Sequence, residues 1–555
     1  MTTMSLTGKT LDAVVGNPVG RRLLTTAVRT SMRLPAPDGS AAARARWTGH
    51  LLLGRGRPGE AAAVLATAER AERAPARRAE LAAARALAEL AAGHEPADLD
   101  DCIRGALALA DDALGADALD ADALRDSGQA EHADLDRAAL RLFEALSLAF
   151  HPSRHFGARR SPLLAAPDDF MAPFRASRAF ARLGASPAPR ARRPRTRTRR
   201  LLVVAAGNFT FVRDIVADYR GTDGLEVRTL DLDDVRGLGN QLDVKELTRA
   251  RLRRGTTGER LPVPESVAET LDWADTILVE WGHRALAWVS LLEGLDARIV
   301  ARVHRYEALT PLPMLTDWSA VDDAVFISPA FRDVVRRTAP AVEGTRLAVV
   351  PNRADLAACR REKTPDAART VALVGWDRMV KDPAWALDVL DRLRARDERW
   401  RLLLIGSDTP SEPWPEAREY FARVQERIDA AGGAVEVRGH TDDVPGALRE
   451  VGVILSTSLQ ESAHVSLLQG VASGALPVVR DWPDLAGWGG PAELYPRDWV
   501  VTTPDEAAAR VIAAGAEPHA GDAARTAQAW AVDNRDWAAV RPRFDAVVLG
   551  AEETP

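Results

Sequence analysis

Apolar positions follow two unlike patterns along this chain. Up to about residue 185 they are spaced for helices. AAAVLATAERAERAPARRAELAAARALAELAAG (61–93) is rich in alanine, the strongest helix former, and contains no strand-like run. Leu51, Leu52 and Leu53, then Gly-Arg-Pro-Gly, then Ala61–Ala68 predict a helix, a tight turn and a second helix. LDRAALRLFEALSLAF (135–150) predicts another packing helix. Such pairs occur in tetratricopeptide-like repeats, but no clean 34-residue period is visible, so a plain helical domain is the first reading.

From residue 201 short apolar runs alternate with helical stretches. LLVVAAG (201–207), VRTLDLDDV (227–235), DTILVEWG (275–282), ARIVARVH (297–304), AVFISP (324–329) and RLAVVPN (346–352) form one set. TVALVGW (370–376), WRLLLIG (400–406), AVEVRG (434–439), GVILST (452–457) and ALPVVR (475–480) form a second, with PAWALDVLDRLRAR (383–396) and WPEAREYFARVQERIDAAG (414–432) as helices between them. Buried parallel strands read as continuous apolar runs, and their crossovers require helices. The pattern predicts an α/β chain with two Rossmann-like domains in tandem, preceded by an all-α domain. Expected limits are 1–185 (helical), 186–200 (linker), 201–350 and 351–510 (the two sheets) and 511–555 (a helical tail whose buried side carries Trp530, Trp537 and Phe544).

Composition narrows the function. The chain has 555 residues, 46% hydrophobic and 27% charged, which excludes a wholly disordered protein. Its net charge of −6 gives no global field for nucleic acid. Two cysteines, Cys102 and Cys359, exclude a disulfide framework. No apolar run is long enough to span a membrane and no secretory signal is evident, so a cytoplasmic protein is expected. The linker SPAPRARRPRTRTRR (186–200) has three prolines and seven arginines. It is expected to be exposed, without fixed structure, and able to touch anionic lipid through 190–200 at the inner face of the membrane. Only four lysines occur, Lys9, Lys245, Lys363 and Lys381, so a lysine retained inside a motif stands out.

SLQESAHVSLLQGVASGALPVV (458–479) carries the most chemistry. A strand ends near Thr457, Glu461 lies in the loop, and a helix runs from near Ala463 through Gln469 to Gly474. A helix start presents free N–H groups and the positive end of its dipole, which suits a pyrophosphate. The step from Glu461 to Gln469 covers roughly 12 Å along a helix, about the reach from the sugar to the ribose of a nucleotide diphosphate sugar. Asp231, Asp233 and Asp234 form an acidic run near a strand end; isolated carboxylates of this kind are expected to face water, and no metal cluster is read from them.

This segment resembles the E-x7-E element of retaining glycosyltransferases with the GT-B fold. ARVHRYEA (301–308), VVPNRAD (349–355), VALVGWDRMVKDP (371–383), LLLIGSD (402–408) and VRGHTDDVPGALREVGVILSTSLQES (437–462) resemble further motifs of that family, in its order, across residues 201 to 500. The resemblance implies that Glu461 contacts donor-sugar hydroxyls. Lys381 would neutralise the donor diphosphate, and His304 would work near acceptor and donor sugar. Gly207 and Asn208 would let the backbone approach the diphosphate, as would Gly375 and Gly406 at strand ends. His464, Val465 and Ser466 would form the helix start. Gly439 and His440 would border the base, and Glu280, Trp281, His283, Arg305 and Glu307 the acceptor. Several positions depart from the family: Gly207 is a single glycine where a pair is usual, and His464 replaces a small glycine, its side chain able to reach the phosphates or to fill space. Gln469 stands where a glutamate holds the ribose, and Trp376 stands where an arginine follows the glycine, with Arg378 two residues on.

The implied activity is retaining transfer of a sugar from a nucleotide diphosphate sugar, UDP-linked, to a glycan, lipid-linked or cell-surface polymer acceptor. No cofactor, metal or nucleic acid is implied. The departures keep two alternatives open: a degenerate GT-B module that binds sugar or a partner, and a nucleotide-sugar epimerase.

Overall fold

The computed structural model describes residues 40–115, 129–156, 160–187, 189–407 and 415–550. They divide into two compact units, with the break after Ser153. The first contains helices α1 (Ser40–Gly54), α2 (Pro58–Ala71), α3 (Pro75–Ala91), α4 (Leu99–Leu114) and α5 (Gln129–Ala149). Each packs on the next, and α1 and α5 both also pack on α3. Gly56 turns α1 into α2 with φ +67°, and Pro75 opens α3 where its missing N–H costs nothing. Alanines such as Ala45, Ala61 and Ala88 leave room for Leu52, Leu65 and Leu81 in the core. Arg46 of α1 reaches Glu80 of α3 and Glu144 of α5, both at 2.7 Å, and Arg141 of α5 pairs with the same two acids.

The second unit holds both sheets. Six parallel strands, β1 (Arg200–Ala205), β2 (Glu226–Asp231), β3 (Thr276–Val279), β4 (Arg298–Val303), β5 (Asp323–Phe326) and β6 (Arg346–Val349), lie in the order β2-β1-β3-β4-β5-β6. The other six, β7 (Thr370–Val374), β8 (Arg401–Ile405), β9 (Val435–Arg438), β10 (Val453–Ser456), β11 (Leu476–Arg480) and β12 (Val500–Val501), lie in the order β12-β11-β10-β7-β8-β9. Every pairing is parallel. Strand order reverses between β1 and β3 and between β7 and β10, and such switch points open a crevice beyond the strand ends. Helices that matter below are α6 (Arg213–Arg220), α7 (Pro383–Arg394), α8 (Val465–Ala472), α9 (Asp522–Arg535) and α10 (Trp537–Val548).

Three expectations are corrected. The compact helical unit ends at Ser153, not at 185, and residues 154–184 pack within the two-sheet unit. There His155 O accepts from Gln460 Nε2 at 2.9 Å, and Leu164 O accepts from Trp488 Nε1 at 3.0 Å.

The linker 186–200 is not a free strap. Arg190 pairs with Asp322 at 2.7 Å and Arg195 with Asp323 at 2.8 Å, while Thr198 is buried against Thr276. Asp322 and Asp323 are closed off from solvent at the start of β5, and buried carboxylates require counter-charge. Arg193 and Arg200 also form ion pairs, with Asp296 and Asp275. Four of the arginines expected to meet lipid are therefore matched by acids of the fold.

The C-terminal tail is not an appendage either. It breaks at Asp536, which caps α10. α9 packs on α8, whereas Trp537, Val540, Phe544 and Val547 of α10 join Leu201, Val203, Ile215 and Val216 in the core of the first sheet. Trp530 is half-buried, against Tyr495 and Trp499. Among the described residues, no helix is long and apolar enough to cross a membrane.

Candidate functional site at the strand ends

At the β7/β10 switch point the chain brings together residues far apart in sequence. After β7, Gly375 turns with φ +79°, and Gly406 packs its Cα side on it. The chain then reaches Lys381 and Asp382. Asp382 has φ +44°, a left-handed conformation uncommon for a residue with a side chain. It is held there by Tyr420 OH at 2.7 Å and Arg480 Nη1 at 2.6 Å, and it starts α7. Over-determination of this kind keeps a strained backbone in place.

Lys381 Nζ lies 2.5 Å from Glu461 Oε1 and 3.3 Å from His464 Nε2. Ser458 Oγ donates to the same Glu461 oxygen at 2.9 Å. His464 Nδ1 is 2.7 Å from Ser456 Oγ, which also accepts from Trp482 Nε1 at 3.1 Å. Burial pushes the Glu461 carboxyl up, but the charge of Lys381 outweighs it and holds the group well below the usual carboxylate range. Burial drives the His464 ring down to about 3, with Lys381 and Arg305 adding to the fall. The imidazole is therefore neutral. An ammonium only donates, so Nε2 is the acceptor and Nδ1 carries the hydrogen toward Ser456.

α8 begins directly after His464, so its first amides belong to Val465 and Ser466. Gln469 sits half-buried one turn further on. Gly474, with φ +90°, ends the element as expected. Trp376 does not face this site: it is buried in the second-sheet core, edge-on to Phe421. Arg378 is exposed. His440 is exposed beside Asp442.

A second cluster lies beyond β3 and β4. His304 is buried, with Nε2 2.8 Å from Glu280 Oε1, and its ring stacks on Trp281 at 4.2 Å and Phe211 at 5.2 Å. Trp281 has φ +58°. Glu280 also meets Arg302 at 3.2 Å, and Arg302 donates to Asn352 Oδ1 at 2.8 Å. Burial pushes Glu280 up, but Arg302 and His304 bring it below its ordinary value. Burial lowers His304, so it is neutral near pH 7. An ionised Glu280 only accepts, so Nε2 carries the hydrogen and Nδ1 keeps a lone pair, which has no partner among the described residues. Glu307 is fully buried, and burial, which outweighs the nearby backbone N–H groups of Glu307, His304 and Gly282, pushes its carboxyl up to about 8. At the β1 end, Gly207 (φ +78°) donates to Asp231 Oδ1 at 2.8 Å, and Asn208 Oδ1 accepts from Thr210 N. Asp233 crowds Gly207 and pairs with Arg284 at 2.6 Å, so this acidic run organises the loop and does not merely face water.

Glu461, Lys381 and His464 thus converge, while His304 belongs to the other sheet's cluster. Arg305, next to His304, is close enough to lower both Glu461 and His464. Sequence reasoning passed over Ser456, Ser458, Trp482, Arg302 and Asn352. Arg302 carried a signal: a charge inside an apolar strand requires a buried acid.

Residues 368–514 match the family model described as glycosyl transferases group 1. No curated protein matches the chain. Among solved structures, Anabaena HepE in complex with UDP and glucose is 15% identical with TM-score 0.45, covering 62% of this chain and 98% of that one. A glycosyltransferase from Rickettsia africae is 12% identical with TM-score 0.46, covering 62% and 97%. An O-GlcNAc transferase mutant from Thermobaculum terrenum is 16% identical with TM-score 0.43, covering 98% of each. At these scores the fold rests on the strand orders themselves. The matched segment contains the second sheet, with Lys381, Glu461 and His464 at its switch point, so this part of the chain is similar to group 1 glycosyl transferases, and the strand orders give two Rossmann-like sheets in tandem.

Proposed function

We propose that the protein transfers a sugar, with retention, from a nucleotide diphosphate sugar to a hydroxyl of a glycan, lipid-linked or polymeric acceptor. The observation that carries this reading is the convergence of Lys381 and Glu461 at the start of α8. The diphosphate sits against the amides of Val465 and Ser466, where the helix dipole favours an anion. Lys381 adds charge where the leaving group gains it. Glu461 accepts from sugar hydroxyls. The bond from the anomeric carbon to the phosphate oxygen breaks, the acceptor oxygen bonds to that carbon on the same face, and its proton passes to the departing phosphate. His304, with its Nδ1 lone pair, is the group suited to hold a hydroxyl nearby. A uridine base is the one commonest in the family that the motifs resemble.

A thermal-shift panel of nucleotide diphosphates and their sugars tests this. Ligand at about 100 times its Kd raises stability by about 2.7 kcal/mol. A UDP-sugar is expected to stabilise the wild type, and Lys381→Ala to cut turnover by about 10²–10³-fold. A panel without any shift would sink the proposal. The burial of Trp376 in place of a phosphate-facing arginine favours a second reading, binding without catalysis. Stabilisation by donor without turnover across a broad acceptor panel would select it.

A further inference from the structure

His464 is the feature of the switch point that the proposed reaction leaves without a task. Its ring is buried, yet both nitrogens are engaged: Nδ1 with Ser456 Oγ at 2.7 Å and Nε2 with Lys381 Nζ at 3.3 Å. Ser456 is itself fixed by the indole N–H of Trp482 at 3.1 Å, and Trp482 is fully buried. The ring is thus anchored on the β10 end and cannot turn without losing a hydrogen bond. An ammonium on a four-carbon stem has many rotamers and three donors. Here one N–H goes to Glu461 and one to His464, and the third remains for a ligand.

We propose that His464 is a positioning residue, a neutral acceptor that, together with Glu461, holds the Lys381 ammonium so that its third N–H faces the donor's diphosphate. The idea rests on the proposed donor site and adds to it. With Trp376 turned into the core and Arg378 exposed, the loop after β7 brings one cation, Lys381, into this cluster, and its placement matters more. Fixing a flexible side chain before the ligand arrives removes an ordering cost from binding and from the transition state. The charged groups facing the ring are Lys381, Glu461 and Arg305; burial, Lys381 and Arg305 keep it from taking a proton and outweigh Glu461, which favours one.

Two measurements on the full chain decide the matter. The first needs no ligand: ¹⁵N NMR of histidine-labelled protein, with His464→Gln assigning the signal. A ring that remains neutral in the Nδ1–H form from pH 8 down to pH 5 is expected. A ring that titrates near its ordinary value, or carries its hydrogen on Nε2, overturns the proposal, because an Nε2–H cannot accept from an ammonium. The second compares His464→Ala with His464→Gln, whose amide oxygen can take the place of Nε2. The alanine variant is expected to lose about 10- to 100-fold in kcat with a smaller change in KM, and the glutamine variant to recover most of it. Equal behaviour of the two variants overturns the proposal. Should His464→Ala fail to fold, UDP affinity of His464→Gln against wild type, with the NMR signature, gives the answer. A wild type that binds no nucleotide diphosphate sinks the donor reading, and the ring's tautomer still decides whether His464 holds Lys381.

Discussion

Each sheet ends in an acid beside a base, but the two pairs are solvated differently. Beyond β4, the Glu280, Arg302 and His304 side chains are 0%, 0% and 3% exposed, and each uses another of the three as partner. Beyond β10, Lys381 and Glu461 retain 17% and 10% of their side-chain surface. A charge wholly removed from water must be neutralised by the fold itself, and becomes part of its stability. A charge at the rim of a cleft can exchange its partner for a ligand. The first cluster therefore has the character of a scaffold that offers one lone pair at His304 Nδ1, and the second that of an exchangeable ion site.

This contrast can be broken by mutation. Glu280→Ala leaves Arg302 buried with its acid gone, so a loss of about 3–5 kcal/mol in unfolding free energy is expected by denaturant titration. Glu461→Ala, by the same measurement, is expected to cost less than Glu280→Ala, because Lys381 keeps part of its surface in water, while abolishing transfer. Equal losses would erase the distinction. Glu307 supplies the next test. Its folded pKa is raised to about 8, so between the ordinary carboxylate value and pH 8 the folded protein keeps a proton that the unfolded chain has released. Stability contributed by that proton is complete at low pH and is lost as pH rises toward 8, by up to about 1.4 kcal/mol per pH unit. Glu307→Gln is expected to flatten this slope and to be more stable than wild type at pH 8; an unchanged pH profile would show that Glu307 is ionised. Gln469→Glu changes donor binding alone. A carboxylate accepts from both ribose hydroxyls, and a gain of about 1–2 kcal/mol, roughly tenfold in UDP affinity by calorimetry, is expected.

Much of the scaffold was legible in the chain. Strands β1 to β11 match the runs that announce them to within one residue at their starts, and for most the reason is that a strand covered on both faces admits few polar residues; β2, largely uncovered, is the exception. The Glu461–Gln469 segment was legible too, since α8 begins after His464 and stops before a left-handed Gly474. Local rules of capping and helix termination decide such features within a few residues.

Other features depend on groups separated by long stretches of chain. The linker arginines read as a solvated run because the acids that bind them, Asp322 and Asp323, lie more than a hundred residues away. The tail read as helical without a visible break because nothing near Asp536 tells that α10 completes the first sheet's core while α9 stays with the second. Trp376 occupies the motif position of a phosphate ligand, yet its ring is taken by the core around Phe421.

Periodicity and turn chemistry in the sequence by themselves determined two tandem parallel sheets behind a helical region, and the position of the helix start that follows Glu461. Only the tertiary structure decided that Lys381 stands between Glu461 and His464, and that Glu280 is shared by Arg302 and His304. The reason is that backbone pattern is a local property, whereas the state of a charge depends on which strand ends become neighbours once the strand order is set.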